Sequence, residues 1–113
     1  MPHIVIEHSA GLQDSHDLQA LCDVIWQGFA DHPSVKGPDT VRVRCIAATA
    51  SRIGVDPQSF AHATVLLLPG RSEEVRLALA QITMDALQAA LPDVGSLTVR
   101  LTDLNQPYLK RML

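Results

Sequence analysis

The sequence is poor in aromatic side chains, in cysteine and in long apolar runs, and it has no block of basic residues. Aromatic residues make up 4% of the 113 residues and hydrophobic residues 47%, so we expect a core built mainly from Leu, Val, Ile and Ala. The longest uninterrupted apolar run, residues 65–69, is too short to cross a membrane. A net charge of −3 with only nine basic residues argues against a nucleic-acid-binding protein.

Cysteine and histidine give little sign of a cross-linked or metal-bound fold. The two cysteines, Cys22 and Cys45, are too few for a disulfide or metal framework, and each lies in apolar sequence. We therefore expect both to act as small hydrophobic residues. The five histidines show no metal-ligand spacing. No signal peptide is visible, which predicts a reduced, cytoplasmic compartment and no membrane partner.

Hydrophobic periodicity predicts two helices that alternate with four strands. The predicted strands are residues 3–8, 40–50, 61–68 and 96–102. The first helix is expected to follow a cap at Asp14 or Ser15 and to end near His32, because a proline comes next. The second helix is expected to follow a cap at Ser72 and to end by Leu91.

The predicted order is β-α-β followed by β-α-β within one domain, residues 1–113. When the second half is laid over the first, His62 falls on His3 and Gly70 falls on Gly11. Two right-handed β-α-β units side by side form a four-stranded sheet with both helices on one face, an α/β (α+β) fold. The third strand is nearly all apolar, which is typical of a strand buried on both faces. Because helices cover only one face, we expect an exposed apolar patch that oligomerisation covers.

Pro2 is the candidate catalytic residue. Aminopeptidases generally remove an initiating Met before a small residue, and the exposed proline then carries a secondary amine. An α-amino group titrates near about 7.7–8.0, and partial burial or nearby cations lower that pKa. A neutral amine can act as a general base. A chain that keeps Met1 has an amide at the Pro2 nitrogen and no base there.

Three segments of the chain carry a family resemblance. They are Met1-Pro2-His3-Ile4-Val5-Ile6-Glu7-His8-Ser9, Val41-Arg42-Val43-Arg44 and Pro69-Gly70-Arg71-Ser72-Glu73-Glu74-Val75-Arg76. Together they resemble the 5-carboxymethyl-2-hydroxymuconate isomerases, tautomerase-superfamily enzymes of aromatic-compound catabolism. The resemblance spans nearly the whole chain. It implies the tautomerase fold, a homotrimer, a small carboxylate substrate and no metal or organic cofactor.

The resemblance also implies roles for individual residues. Pro2 is the implied proton-shuttling base, and Arg42 and Arg71 are the implied substrate-binding residues, since guanidinium groups grip carboxylates bidentately. Arg42 and Arg44 share one face of a strand, so alternation does not decide between them, and the resemblance favours Arg42. The implied reaction converts the enol of an unsaturated 2-hydroxy carboxylate, such as 5-carboxymethyl-2-hydroxymuconate, into its oxo tautomer.

Two alternatives stay open on the sequence alone. One is a tautomerase for a different 2-oxo acid, and the other is a trimeric binding protein that keeps the fold without this catalysis. Arg71 is expected at a helix N-terminus, where a cation is mildly unfavourable. That local misfit favours a functional role for Arg71.

Overall fold

The computed structural model describes residues 1–113 and contains one four-stranded mixed sheet. The elements are β1 (His3–His8), α1 (Leu12–Ser15), α2 (Leu18–Ala30), a 3₁₀ turn (Pro38–Thr40), β2 (Arg42–Ala47), β3 (Phe60–Leu67), α3 (Glu73–Ala90) and β4 (Ser96–Asp103). The predicted order and the predicted α+β fold class are confirmed. All helices fall short of the length and apolarity that a membrane span requires.

The strand order in the sheet is β2-β1-β3-β4. Each β-α-β unit contributes a parallel pair, β1 with β2 and β3 with β4, and the two units join through antiparallel pairing of β1 with β3. Parallel pairing places the first residues of β1 and β2 at one edge of the sheet. Antiparallel pairing brings the last residues of β3 to the same edge, where Leu66 pairs with His3.

The core lies between the sheet and helices α2 and α3. Alternate residues of the two central strands point into it and are fully buried: Ile4, Ile6, Ala61, Ala63, Val65 and Leu67. The helices contribute Leu21, Ile25, Phe29, Leu79 and Leu87. Residues of β3 therefore alternate between buried and half-buried positions, and the expectation that β3 is buried on both faces is wrong for the single chain. The reason is that helices cover one face only.

The uncovered face of the sheet is more polar than the sequence predicts. Strand alternation and register place these polar residues on it: His3, Glu7, Arg42, Arg44, His62, Thr64, Thr98, Arg100 and Thr102. Val65 and Leu67, which were expected to form an exposed apolar patch, point into the core instead. The uncovered face is thus a mixed surface in which cations, hydroxyls and a few apolar side chains alternate.

Two element boundaries differ from the prediction for local chemical reasons. Asp17, and not Asp14 or Ser15, caps α2, because its side chain accepts a hydrogen bond from the backbone N–H of Ala20 at 3.0 Å. Asp14 and Ser15 belong to the separate single turn α1. β2 begins later than predicted because the chain first forms the 3₁₀ turn. The predicted cap at Ser72 is confirmed.

The C-terminal tail, residues 104–113, returns to the start of β1. The Tyr108 hydroxyl lies 2.8 Å from Nε2 of His3, and the two rings meet edge to face. Further along, Nζ of Lys110 lies 3.4 Å from Sδ of Met1. The tail therefore brings a positive charge next to the N-terminus of the chain.

Candidate active site

A cavity of about 550 Å³ opens at the sheet edge where β1 begins and β3 ends. Three segments that are far apart in sequence line it: residues 1–2, residues 34–37 with Thr40, and residues 69–71. Its volume lies in the range of small-molecule sites, about 300–1,000 Å³. The chain has no cluster of three or more side chains suited to hold a metal ion.

Pro2 lines this cavity and is almost completely buried. Its carbonyl accepts a hydrogen bond from the backbone N–H of Arg42 at 3.0 Å, which extends the β1–β2 ladder by one residue. The pairing fixes Pro2 at the edge of the sheet. With Met1 attached, the nitrogen of Pro2 is an amide without basicity, and loss of Met1 turns the same nitrogen into the terminal amine.

The α-amino group of Met1 lies in a cationic environment. Burial is the largest cause that lowers the pKa of this Met1 amine from 8.0, and the charges of Arg71, Lys110 and Arg42 lower it further. None of the residues that line the cavity carries a carboxylate. Burial and the nearby cations both increase the neutral, proton-accepting fraction of an amine at this position. The uncompensated positive charge of the cavity favours an anionic ligand.

Arg71 is held at the cavity by a turn between β3 and α3. Gly70 has φ +118°, which L side chains rarely adopt, and the chain turns there so that Arg71 stands directly before the cap Ser72. Nη2 of Arg71 donates to the carbonyl oxygen of Ser34 at 3.2 Å. Nε of Arg71 is buried and has no hydrogen-bond partner. Leaving such a group unsatisfied costs about 1–3 kcal/mol, and a carboxylate would satisfy it.

Arg42 and Arg44 lie on the uncovered face of the sheet, and neither lines the cavity of its own chain. Arg42 donates from Nη1 to the carbonyl of Thr40 at 2.8 Å, and its Nη2 lies 3.1 Å from Sδ of Met112. Arg44 donates from Nη1 to Nδ1 of His3 at 3.2 Å. Burial, followed by the charges of Arg44 and Arg42, lowers the pKa of His3, which favours the neutral ring that accepts this bond. Of the two arginines, only Arg42 acts on the pKa of the terminal amine.

The structure thus brings two of the three residues implied by the resemblance, Pro2 and Arg71, to one cavity. It also places two lysines near Pro2 that sequence patterns did not indicate: Lys36 in the cavity and Lys110 beside Met1. Lys36 was interpreted only as part of a turn, yet it lines the cavity and forms no ion pair. Lys110 lies in the tail, where no periodicity shows what it contacts. The only sequence feature that singles out Lys36 and Lys110 is that they are the two lysines of the chain.

Comparison with known families decides the type of protein. A family model described as 5-carboxymethyl-2-hydroxymuconate isomerase matches residues 2–102, which is most of the chain. The chain belongs to the 5-carboxymethyl-2-hydroxymuconate isomerase family. It is accordingly an isomerase of the tautomerase type, as the sequence resemblance implied. No curated protein sequence matches the chain.

Solved structures show the same fold at low sequence identity. A 5-carboxymethyl-2-hydroxymuconate delta-isomerase superimposes with a TM-score of 0.83 at 21% identity, covering 99% of this chain and 88% of that one. A 5-carboxymethyl-2-hydroxymuconate isomerase from Deinococcus radiodurans R1 gives 0.80 at 18% identity, with coverage of 97% and 88%. The wild-type symmetric trimer of the fused 4-OT Q0 gives 0.73 at 20% identity, with coverage of 95% and 89%.

In the chain that carries Met1, replacing Lys110 by Met is expected to raise the pKa of the Met1 α-amino group, because it removes one of the charges that lower that pKa. An NMR titration of the amine measures the change. Arg111→Met is the matched control, since it removes the same charge from the next tail position, which is not among the causes of the shift. An unchanged amine pKa in Lys110→Met, or an equal shift in both variants, would contradict this assignment.

Proposed function

We propose that this isomerase moves a proton within an unsaturated 2-hydroxy or 2-oxo carboxylate, with the amine of Pro2 as general base after Met1 is lost. The observation that carries the proposal is one shared cavity. It holds the buried Pro2, the unpartnered Nε of Arg71 and no carboxylate. The family description favours 5-carboxymethyl-2-hydroxymuconate as substrate, because its carboxylates match the cations at this edge of the sheet.

The proposed reaction needs one base and one anion-binding group. The neutral Pro2 amine removes the proton of the enol hydroxyl, which leaves a conjugated dienolate. Arg71 donates hydrogen bonds to a substrate carboxylate and stabilises the negative charge of the intermediate. The protonated amine then delivers the proton to a distant carbon of the conjugated chain, which gives the oxo tautomer. A lowered amine pKa suits this role, because a general base works best when its pKa lies near the working pH.

We propose Arg42 as a second substrate-binding residue that acts across a subunit boundary in a homotrimer. Its side chain lies on the uncovered face of the sheet and outside the cavity of its own chain. A neighbouring subunit packed on that face would receive the guanidinium group of Arg42.

We also propose a cytoplasmic location. Both cysteines are free thiols, as is usual in a reducing compartment.

We propose Lys36 as the residue that binds the carboxylate farther from the reacting enol. Its backbone is fixed on both sides, because Val35 is buried and the hydroxyl of Thr40 donates to the carbonyl of Gly37. Its ammonium group has no protein partner, and it shares the cavity with Arg71. Two cations in one cavity match a substrate with two or more carboxylates.

Replacing Pro2 by Ala is expected to lower kcat for ketonisation of a 2-hydroxydienoate about 100-fold, the lower range for loss of an effective general base. Ultraviolet absorbance of the dienol follows the reaction in both proteins. Intact mass must first show that each chain has lost Met1. Equal rates in two processed proteins would contradict the proline mechanism, as would full activity in a chain that retains Met1.

Replacing Lys36 by Met is expected to raise KM for 2-hydroxymuconate about tenfold with little change in kcat, because a charge-assisted contact made equally in ground and transition states is lost. Lys36→Arg keeps the charge and is expected to restore most of the affinity. A 2-hydroxydienoate with a single carboxylate supplies the second control, since its KM is expected to change little. An equal rise of KM for both substrates would exclude a role in binding the distal carboxylate.

Analytical ultracentrifugation of the purified chain is expected to show a trimer at micromolar concentration. The physical reason is that one whole face of the sheet has no cover in the single chain. Glu7→Arg tests the face directly, since it replaces a negative charge by a positive one on the face that carries Arg42, Arg44 and Arg100, and it is expected to shift the trimer towards monomer. A wild-type chain that sediments as a stable monomer would contradict the proposed assembly.

A further inference from the structure

Cys22 and Cys45, the only cysteines of the chain, meet where α2 packs on β2. Their Sγ atoms lie 3.7 Å apart and share a hydrogen bond, and both thiols are free and half-buried. The expectation that each is an isolated hydrophobic residue is therefore incomplete. The fold turns two cysteines without any spacing pattern into a dithiol pair.

The separation is short enough for a bond to form through side-chain movement. From 3.7 Å, the sulfurs have to approach by roughly 1.7 Å to reach the ~2.05 Å of a disulfide. One cysteine lies on a helix and the other on a strand, so rotation about each Cα–Cβ bond moves its sulfur independently.

A reagent can reach the pair from solvent. A surface cavity of about 300 Å³ is lined by both cysteines together with Leu18, Gln19 and Val43. None of its lining residues belongs to the cavity that holds Pro2. Chemistry at the thiols therefore does not require access through the proposed active site.

The two thiols differ in reactivity. The hydrogen bond from Cys45 lowers the pKa of Cys22, whereas the same bond and burial raise the pKa of Cys45. Cys22 is therefore the thiolate that attacks first, because thiolates are the nucleophiles in exchange reactions. Once Cys22 is bonded to a reagent, its hydrogen bond and its charge no longer raise the pKa of Cys45, and burial is the one cause that remains.

We propose that Cys22 and Cys45 are a modification site that forms a reversible disulfide by exchange with a low-molecular-weight disulfide such as glutathione disulfide. In the first step the Cys22 thiolate attacks the reagent, its S–S bond breaks, and one thiolate leaves. In the second step Cys45 loses its proton and attacks Sγ of Cys22, which releases the second thiolate. The cysteines lose two electrons and two protons in total, and the reagent is reduced to two thiols.

The bond would close a ring that contains one wall of the active-site cavity. Residues 34–40 lie between the two cysteines in sequence, and this segment supplies Lys36 and the carbonyl of Ser34 that holds Arg71. A closed ring restricts the unfolded chain more than the folded one. Oxidation is therefore expected to stabilise the fold and to reduce the motion of this wall.

Incubation of the full chain in defined mixtures of oxidised and reduced glutathione tests the proposal. Intact mass is expected to show loss of two hydrogens with no glutathione attached, and excess reductant is expected to reverse it. The melting temperature is expected to rise by roughly 5–15 °C on oxidation. Hydrogen exchange of residues 31–41 is expected to slow in the oxidised chain.

Single serine variants distinguish the attacking thiol, Cys22, from the resolving thiol, Cys45. Cys45→Ser is expected to accumulate one stable glutathione adduct on Cys22, because the resolving thiol is absent. Cys22→Ser is expected to react more slowly, since the remaining thiol lacks the lowered pKa. A stable glutathione adduct on the wild-type chain, or a disulfide between two chains, would overturn the proposed pair. An oxidised chain with unchanged melting temperature and unchanged exchange at 31–41 would overturn its proposed effect on the cavity.

Discussion

The antiparallel pairing of β1 with β3 is the constraint on which the site depends. A single β-α-β unit would bring only its own turn, which carries Lys36, to the start of its first strand. Reversing the second unit brings the end of β3, and with it Gly70 and Arg71, to the start of β1. The pairing needs the buried side chains that seat both strands on the helices, such as Ile4 and Val65. Core packing thereby places Pro2, the proposed base, and Arg71, the proposed anion-binding residue, in one cavity.

Charge within the cavity is unbalanced, because its lining includes Lys36 and Arg71 and no carboxylate. No residue of the three salt bridges, which join His16 with Asp93 and Arg76 with Glu73 and Asp103, lines the cavity. The cations near the terminal amine repel one another when no ligand is present, and a buried guanidinium N–H stays unsatisfied. Bound carboxylates relieve both costs at once. The same field lowers the pKa of the Met1 α-amino group, so the proposed substrate binding and the proposed base strength have one electrostatic origin.

Periodicity was enough to predict the order of strands and helices, and the resemblance of three sequence segments indicated the family. Neither showed the partners of particular side chains. Alternation correctly put Arg42 and Arg44 on one face, because it depends only on strand geometry. Lys110 could not be assigned from the sequence, since its position beside the N-terminus depends on the path of an irregular tail. The contact between Cys22 and Cys45 could not be predicted either. A periodic pattern shows which face of an element a residue occupies, but it does not show which residue of another element that side chain contacts.

Both ends of the polypeptide finish beside the cavity, since the tail binds His3 through Tyr108 and brings Lys110 to Met1. Because the tail lies close to the N-terminus, the requirements of the fold can be distinguished from those of the proposed chemistry. A circular permutant that joins the tail to Pro2 and opens the chain in the loop between β2 and β3 would keep every strand and helix. It would nevertheless lack the one group that only a chain terminus supplies, a free secondary amine. Under the proposed mechanism, a free end at Pro2 is thus a chemical requirement as well as a topological feature.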